Sequence, residues 1–331
     1  IGPGASLQDR GRYGWQRYGV SVSGPMDWLA AQLTNQMAGN DVNAAVLELD
    51  QMGTAAEALG DCTLGLCAPE GRATLNGDEV DSASRIALQN GDRFTLHPAR
   101  QGGWAYLAIA GGGFDGKVQL GSVAYHRRAK LGGPPLASGL KLFSKEAASP
   151  PLSPASFPLV EQLYHTKAPL RLIMGPQDFM LSPKSITQFM DGGFTLSHRS
   201  DRMGYRLTGD PMQHLGPADI VSDGIAIGTI QVPGDGHPII LMADRQTSGG
   251  YPKLGTLITA DLPRLAQSPI GQQSAPLRFE AVTVEQAIEL QSKLQQAAAQ
   301  ILAQPQPLGP RTPTTDILLR NNLIHGFSDD N

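Results

Sequence analysis

Apolar positions fall at helical spacing in one early stretch. Met26, Leu29, Ala30, Leu33 and Met37 mark one face of a helix predicted at about 25–38, with Pro25 in its first turn and Gly39-Asn40 at its end. From Val46 to about Leu142 the pattern changes to short apolar runs broken by turns. Strands are predicted at Cys62–Ala68, Ala73–Leu75, Ile86–Leu88, Phe94–His97 and Trp104–Ala110. Asn76-Gly77 and Asn90-Gly91 stand between such runs and predict hairpins. A second strand-rich block runs from Leu170 to about Val282, with Leu170–Met174, Thr195–His198, Ile225–Val232 and Ile239–Met242 as its strands. Asp261-Leu262-Pro263 starts a short helical turn, and Thr283-Val284-Glu285-Gln286 reads as a capping box for a helix through about Ala303.

This pattern predicts a mainly β chain with few helices, a C-terminal helix and a tail. The expected organisation is a first β unit over 1–145, a Pro/Ser/Ala-rich linker over 146–168, a second β unit over 169–303 and a tail over 304–331.

The 331 residues suffice for two domains, and the 39 glycines and 25 prolines imply many turns and short strands. A net charge of −4 favours neither nucleic acid nor an anionic membrane as partner. No apolar run approaches a bilayer-spanning length and no signal peptide is evident, although the chain opens on Ile1-Gly2-Pro3-Gly4 without Met, as a trimmed chain would. The two cysteines, Cys62 and Cys67, are five apart on a predicted strand, hence on opposite faces and not paired. Unpaired cysteines fit a cytoplasmic location.

Familiar catalytic signatures fail on inspection. Gly111 to Lys117 has the spacing of a phosphate-binding loop, but Val118 follows where a metal-binding hydroxyl is needed, and no helix is predicted behind it. The seven histidines form no metal-ligand pattern, and Gly19-Val20-Ser21-Val22-Ser23 departs from a nucleophile elbow at its last position. More informative are segments in which charged and polar residues sit between glycines. They are Ser200-Asp201-Arg202-Met203-Gly204-Tyr205-Arg206-Leu207, Gly228 to Pro233, and Gly249-Gly250-Tyr251-Pro252. Arg supplies a planar fork of donors and Gly lets a ligand approach the backbone, so these segments suggest a pocket for a small polar or anionic ligand.

Together with Ser6 to Gly14, Gly19 to Asp27, Gly39-Asn40, Leu47-Glu48, Ala110-Gly111-Gly112, Leu120-Gly121-Ser122, Asp244 to Pro252 and Ala260-Asp261-Leu262, these segments resemble the allophanate-hydrolase-subunit-2 family, also called biotin-dependent carboxyltransferase subdomain B. The resemblance covers roughly residues 2–290. It implies two cyclophilin-like β-barrel units and a subunit-1 partner. Family members include the third subunit of bacterial 5-oxoprolinase, the antagonist of the sporulation-kinase inhibitor, and a segment of urea carboxylase. The implied activities are ATP-dependent opening of 5-oxoproline to glutamate and carboxyl transfer to urea or a related amide. A third is a non-catalytic regulatory role. ATP, with Mg, would be the cofactor, and biotin only if supplied on a partner carrier. Where the family has Leu-Gly-Ser-x-Ser-Thr, this chain has Leu120-Gly121-Ser122-Val123-Ala124-Tyr125, so the two aliphatic hydroxyl positions have become Ala and Tyr.

Candidate catalytic residues are Arg202, Asp244 and Glu48. Glu48 stands in an apolar stretch, as either an exposed strand position or a buried carboxylate with a raised pKa. Candidate ligand-binding residues are Gln8, Arg10, Arg12, Ser23, Asp27, Arg206, Gln231, Gln246, Thr247, Gly249, Gly250 and Tyr251. For Arg10 and Arg12 the alternative is a salt bridge fixing the loop, and for Ser23 it is helix capping. Tyr205 reads as a packed aromatic, and the loop from Asp244 to Pro252 as a pocket wall.

Overall fold

The computed structural model describes residues 4–50, 53–98, 103–133, 135–147 and 152–308. The fold is mainly β, as expected, with one sheet curled into a half-barrel. The first seven-stranded sheet orders its strands Ser6–Gln8, Val46–Leu49, Ala105–Ile109, Cys62–Cys67, Ala83–Leu88, Ala155–Ser156 and Gln306–Pro307. A four-stranded sheet of Thr54–Glu57, Arg93–His97, Arg72–Leu75 and Asp78–Val80 packs against it. The second seven-stranded sheet runs Phe194–Leu196, Gly204–Gly209, Ile239–Leu241, Thr229–Gln231, Lys253–Leu257, Leu170–Met174 and Phe279–Ala281.

Local signals explain several elements. Asn76 and Gly77 both adopt left-handed φ, 53° and 96°, and join the paired strands Arg72–Leu75 and Asp78–Val80 as the Asn-Gly signal predicts. The second expected hairpin is not one. Asn90-Gly91 is a turn, but the strands on either side, Ala83–Leu88 and Arg93–His97, enter different sheets. The apolar side chains of Leu88 and Phe94 meet in one core instead.

The first helix, α1, spans Trp28–Met37 and starts later than predicted. Asp27 is its N-cap, accepting from the Ala30 N–H at 2.9 Å. Pro25 and Ser23 therefore lie outside it, and Ser23 has φ 59°, which no capping residue needs. Helix α1 lies so close to strand Cys62–Cys67 that a Cβ on Gly65 would stand 2.3 Å from the Thr34 carbonyl oxygen. Cys62 packs in the core between the two sheets and Cys67 in the core under α1, so both are free and face apart as their spacing predicts.

Helices α2 (Pro183–Met190) and α3 (Leu262–Ala266) cover the second sheet. Helix α4 spans Val284–Leu302 behind the predicted capping box, with Gln286 N–H on Thr283 Oγ1 at 3.2 Å and Thr283 N–H on Gln286 Oε1 at 2.9 Å. It lays Leu294, Ala298, Ile301 and Leu302 against the α1 core.

Within 146–168, Ala155–Ser156 pairs with Arg85 and Ser84, and a 3-10 turn follows at Pro158–Leu163. The first residues of the predicted tail, Gln306–Pro307, add a strand beyond Ala155–Ser156. Residues 148–151 of the linker and 309–331 of the tail lie outside the described residues. No helix among the described residues is long and apolar enough to cross a membrane.

Candidate functional site

The two sheets meet along a polar seam. Trp104 at the start of one strand donates its indole N–H to the Tyr205 hydroxyl at 3.0 Å, and Trp28 donates to the Thr259 carbonyl at 3.0 Å. Gln267 Nε2 donates to Asp27 Oδ2 at 2.8 Å. At the centre is Arg202, on the tight turn that Asp201 and Gly204 close with mutual backbone hydrogen bonds of 3.2 Å. Its Nε and Nη2 donate to Asp244 Oδ2 and Oδ1, both at 3.0 Å, in a bidentate fork. Nη2 also donates to the Gly24 carbonyl at 2.7 Å, and Nη1 donates to Glu48 Oε1. Glu48 is fully buried, which settles the two readings of that residue. Its Oε2 accepts from Met26 N–H and from the Tyr106 hydroxyl, each at 2.7 Å.

The environment drives the two carboxylates apart. Burial raises the Glu48 pKa against the opposing pull of Arg202, the Met26 N–H and the Tyr106 hydroxyl. Burial acts on Asp244 in the same sense, but the charge and paired hydrogen bonds of Arg202 outweigh it and hold its carboxyl below the ordinary value. Burial disfavours the charge on Arg202, and the two carboxylates overcome that and raise its pKa. The two carboxylates thus share one guanidinium but respond to it differently, burial prevailing at Glu48 and the arginine at Asp244.

A cleft of about 370 Å³ opens over this cluster, near the small end of ligand pockets. Arg202 and Asp244 form its floor. Trp104, Tyr205, Met203 and Ile270 supply apolar wall, and Tyr125, His126, Arg127 and Arg128 one side. His126 is buried, with Nδ1 accepting from Ala129 N–H at 3.1 Å, and its ring lies close enough to Asp244 to favour that carboxylate's charge. Arg128 reaches Asp201 at 3.5 Å across the rim.

Of the residues singled out from sequence, Arg202 and Asp244 come together at the floor, with Glu48 buried behind Arg202. Gln8 and Arg12 stand one layer behind the cleft. Gln8 Nε2 donates to the Tyr125 carbonyl at 3.0 Å, and Arg12 donates to the carbonyls of Gln119, at 3.1 Å, and Ala124. Arg12 thus fixes the loop, as its alternative reading supposes, but through carbonyls and not a salt bridge. Ser23 is buried beside Asp244. Asp27 caps α1 and binds Gln267.

The remaining positions do not converge on the cleft. Arg10 and Arg206 are exposed. Arg206 points away because strand residues alternate and Tyr205 takes the inward face. Gln231 is buried with Nε2 on the Tyr251 carbonyl at 3.5 Å, and packs under Gly249. The loop of Gln246, Thr247, Gly249, Gly250 and Tyr251 is not the pocket wall that its composition suggests. It forms a small ribbon, Ser248–Gly249 pairing with Asp223–Gly224, and none of its residues lines the cleft.

Sequence reasoning missed Trp104, His126, Arg127 and Arg128, whereas Ser200 and Asp201, part of the segment singled out as a pocket former, do line the cleft. The basic run His126-Arg127-Arg128 directly behind the Leu120 to Tyr125 segment was the available signal.

The glycine run from Gly111 to Lys117 is not a phosphate-binding loop. In the glycine run, Gly111, Gly112 and Gly113 all have left-handed φ, and no helix follows. The Gly112 N–H is taken by Asn40 Oδ1 at 3.0 Å and the Phe114 N–H by the Ala45 carbonyl at 2.9 Å, leaving no phosphate cradle. Among the described residues no group of three His, Cys, Asp or Glu could hold a metal ion.

The fold and the cleft define a mainly β protein with an ion-paired cleft floor where its two larger sheets meet. The chain belongs to the carboxyltransferase domain family, subdomains A and B, whose pattern matches residues 18–281. It is 32% identical to the third subunit of 5-oxoprolinase from Escherichia coli over 299 residues, covering 89% of this chain and 94% of that protein. It is 30% identical to a putative urea carboxylase of Emericella nidulans over 302 residues, 24% of that protein. Among solved structures, TTHA0988 superposes with TM-score 0.73 at 28% identity, over 84% of this chain and 54% of its own. The urea amidolyase of K. lactis shares the fold, with TM-score 0.79 at 24% identity over 19% of its length.

Proposed function

We propose that this chain is the cleft-bearing subunit of an ATP-hydrolysing 5-oxoprolinase complex, which opens 5-oxoproline to glutamate together with a subunit-1 family partner in the cytoplasm. The observation that carries this reading is the near full-length similarity to two proteins named as 5-oxoprolinase subunits, at 32% identity each. The cleft supports it. A compact lactam suits a volume of about 370 Å³ with aromatic walls. Arg202 and the arginine-bearing side wall would attract the carboxylate of such a substrate. Glu48 and Asp244, each hydrogen-bonded to the same guanidinium, keep Arg202 aimed. Because the Gly111 to Lys117 run offers no phosphate cradle, this reading leaves the nucleotide to the assembled complex.

Carboxyl transfer to urea or a related amide is the second reading, favoured by the match to urea carboxylase. A non-catalytic regulatory role is the third, favoured by Ala124 and Tyr125 where hydroxyl residues are usual. The discriminating experiment measures glutamate formation from 5-oxoproline by the reconstituted complex, with and without a biotinylated carrier. Product without the carrier supports the first reading. Turnover of urea only with the carrier supports the second, and a complex that forms but turns over neither substrate supports the third.

A further inference from the structure

The loop Tyr13 to Tyr18 presents three aromatic side chains to solvent, Tyr13 at 63%, Trp15 at 38% and Tyr18 at 63% exposure. In a chain with only 6% aromatic residues this is a marked concentration. The rings are organised and not loose. Trp15 and Tyr18 lie 5.8 Å apart between centroids, and the Arg17 guanidinium stands 4.8 Å from the centre of the Tyr18 ring. The backbone is a fixed turn, with Tyr18 N–H on the Trp15 carbonyl and Gly19 N–H on the Gln16 carbonyl, both at 2.9 Å. Its base is tied down by Arg12 N–H on the Val22 carbonyl at 2.7 Å and by Ser21 Oγ on the Arg245 carbonyl at 2.7 Å. A preformed surface of Trp, Tyr and Arg has the composition of a binding hot spot and little ordering entropy left to lose.

Charge identifies the occupant. No Asp or Glu occurs between Asp9 and Asp27, so the charged side chains exposed on this loop are Arg10 and Arg17. Among the described residues neither forms an ion pair. A second copy docked loop to loop about a two-fold axis would oppose these arginines to themselves, which a self-complementary interface avoids. A different protein with an acidic face satisfies them. The same domain accounts for 54% of the TTHA0988 chain and 24% of the putative urea carboxylase, so in those relatives it stands beside further polypeptide.

We infer that the Tyr13 to Tyr18 loop is the docking surface for an acidic face of the subunit-1 partner. This rests on the partner named in the proposed function. The loop is linked to the cleft through buried hydrogen bonds. At its base Arg12 holds the Ala124 carbonyl next to Tyr125, and the Gly24 carbonyl accepts from Arg202.

The test titrates the purified subunit-1 family protein into the full chain by calorimetry, comparing wild type with Trp15→Ala, Tyr18→Ala and Arg17→Glu, and with Leu215→Ala as a control on another exposed apolar position. Each aromatic variant is expected to weaken binding by about 30-fold or more. Arg17→Glu is expected to weaken it and to flatten its salt dependence. Leu215→Ala and the melting temperatures should be unchanged. Wild-type binding that survives all three loop variants overturns the inference and leaves the proposed complex intact. Self-association of the chain that is lost in the variants, with subunit-1 binding unaffected, overturns it in favour of a second copy. Failure of the wild-type chain to bind subunit-1 at all overturns the partner in the proposed function together with this surface.

Discussion

Arg202 and Asp244 form a bidentate ion pair, two parallel hydrogen bonds of 3.0 Å, at the floor of the cleft, with Glu48 closing on the free edge of the same guanidinium. The arginine is therefore both a ligand-facing group and the counter-charge for two buried carboxylates. Arg202→Ala leaves both without their partner. The expected destabilisation is about 3–5 kcal/mol, the usual cost of breaking a buried pair from one side. Chemical denaturation checks this. In the double variant with Glu48→Gln the loss should be clearly smaller than the sum of the two single losses, because one stranded charge is gone.

Glu48→Gln alone keeps an acceptor for Met26 N–H and Tyr106 while removing the titrating group. If ionised Glu48 is needed to hold Arg202 in place, kcat of the reconstituted complex falls and the limb of its pH profile that belongs to Glu48 disappears. A structural role alone predicts a lower melting temperature with that limb preserved.

Asp27 supplies a pH test of stability that is independent of activity. Burial raises its pKa from 3.8 to about 6, against the hydrogen bonds from Ala30 and Gln267. The folded chain then binds more protons than the unfolded chain between these values. Its contribution to stability is present below about pH 4 and is lost as pH rises through 6. The swing is about 3 kcal/mol at 1.36 kcal/mol per pKa unit. Asp27→Asn keeps a capping side chain and should remove the slope from denaturation midpoints measured across this window.

Tyr125 takes the place of a usual hydroxyl residue and faces the cleft. Tyr125→Thr should change kcat/KM for 5-oxoproline while shifting stability by less than about 1.5 kcal/mol, since the side chain is only partly buried. Arg206→Ala, on the outward face of its strand, should leave both unchanged.

Local signals were legible in the sequence because they act over a few residues. The Asn76-Gly77 turn, the Thr283 to Gln286 capping box and the opposed cysteines are of this kind. The site was legible only in part because its contacts span the chain. Glu48 and Arg202 are 154 positions apart, and no local pattern tells a buried Glu48 from an exposed one in the Ala44 to Leu49 stretch. The Gln246 to Tyr251 loop misled for a related reason. Glycines beside polar residues mark both pocket walls and small ribbons, and only its pairing with Asp223–Gly224 decides. Asn90-Gly91 failed as a hairpin because sheet membership is set by long-range pairing.

The most direct measurement is phosphate release from ATP by this chain combined with the proposed subunit-1 partner and a lactam-opening subunit, with and without 5-oxoproline. The account predicts release that 5-oxoproline stimulates and that disappears when this chain is omitted. A complex that forms fully but shows no stimulation by 5-oxoproline, or equal stimulation without this chain, would contradict it.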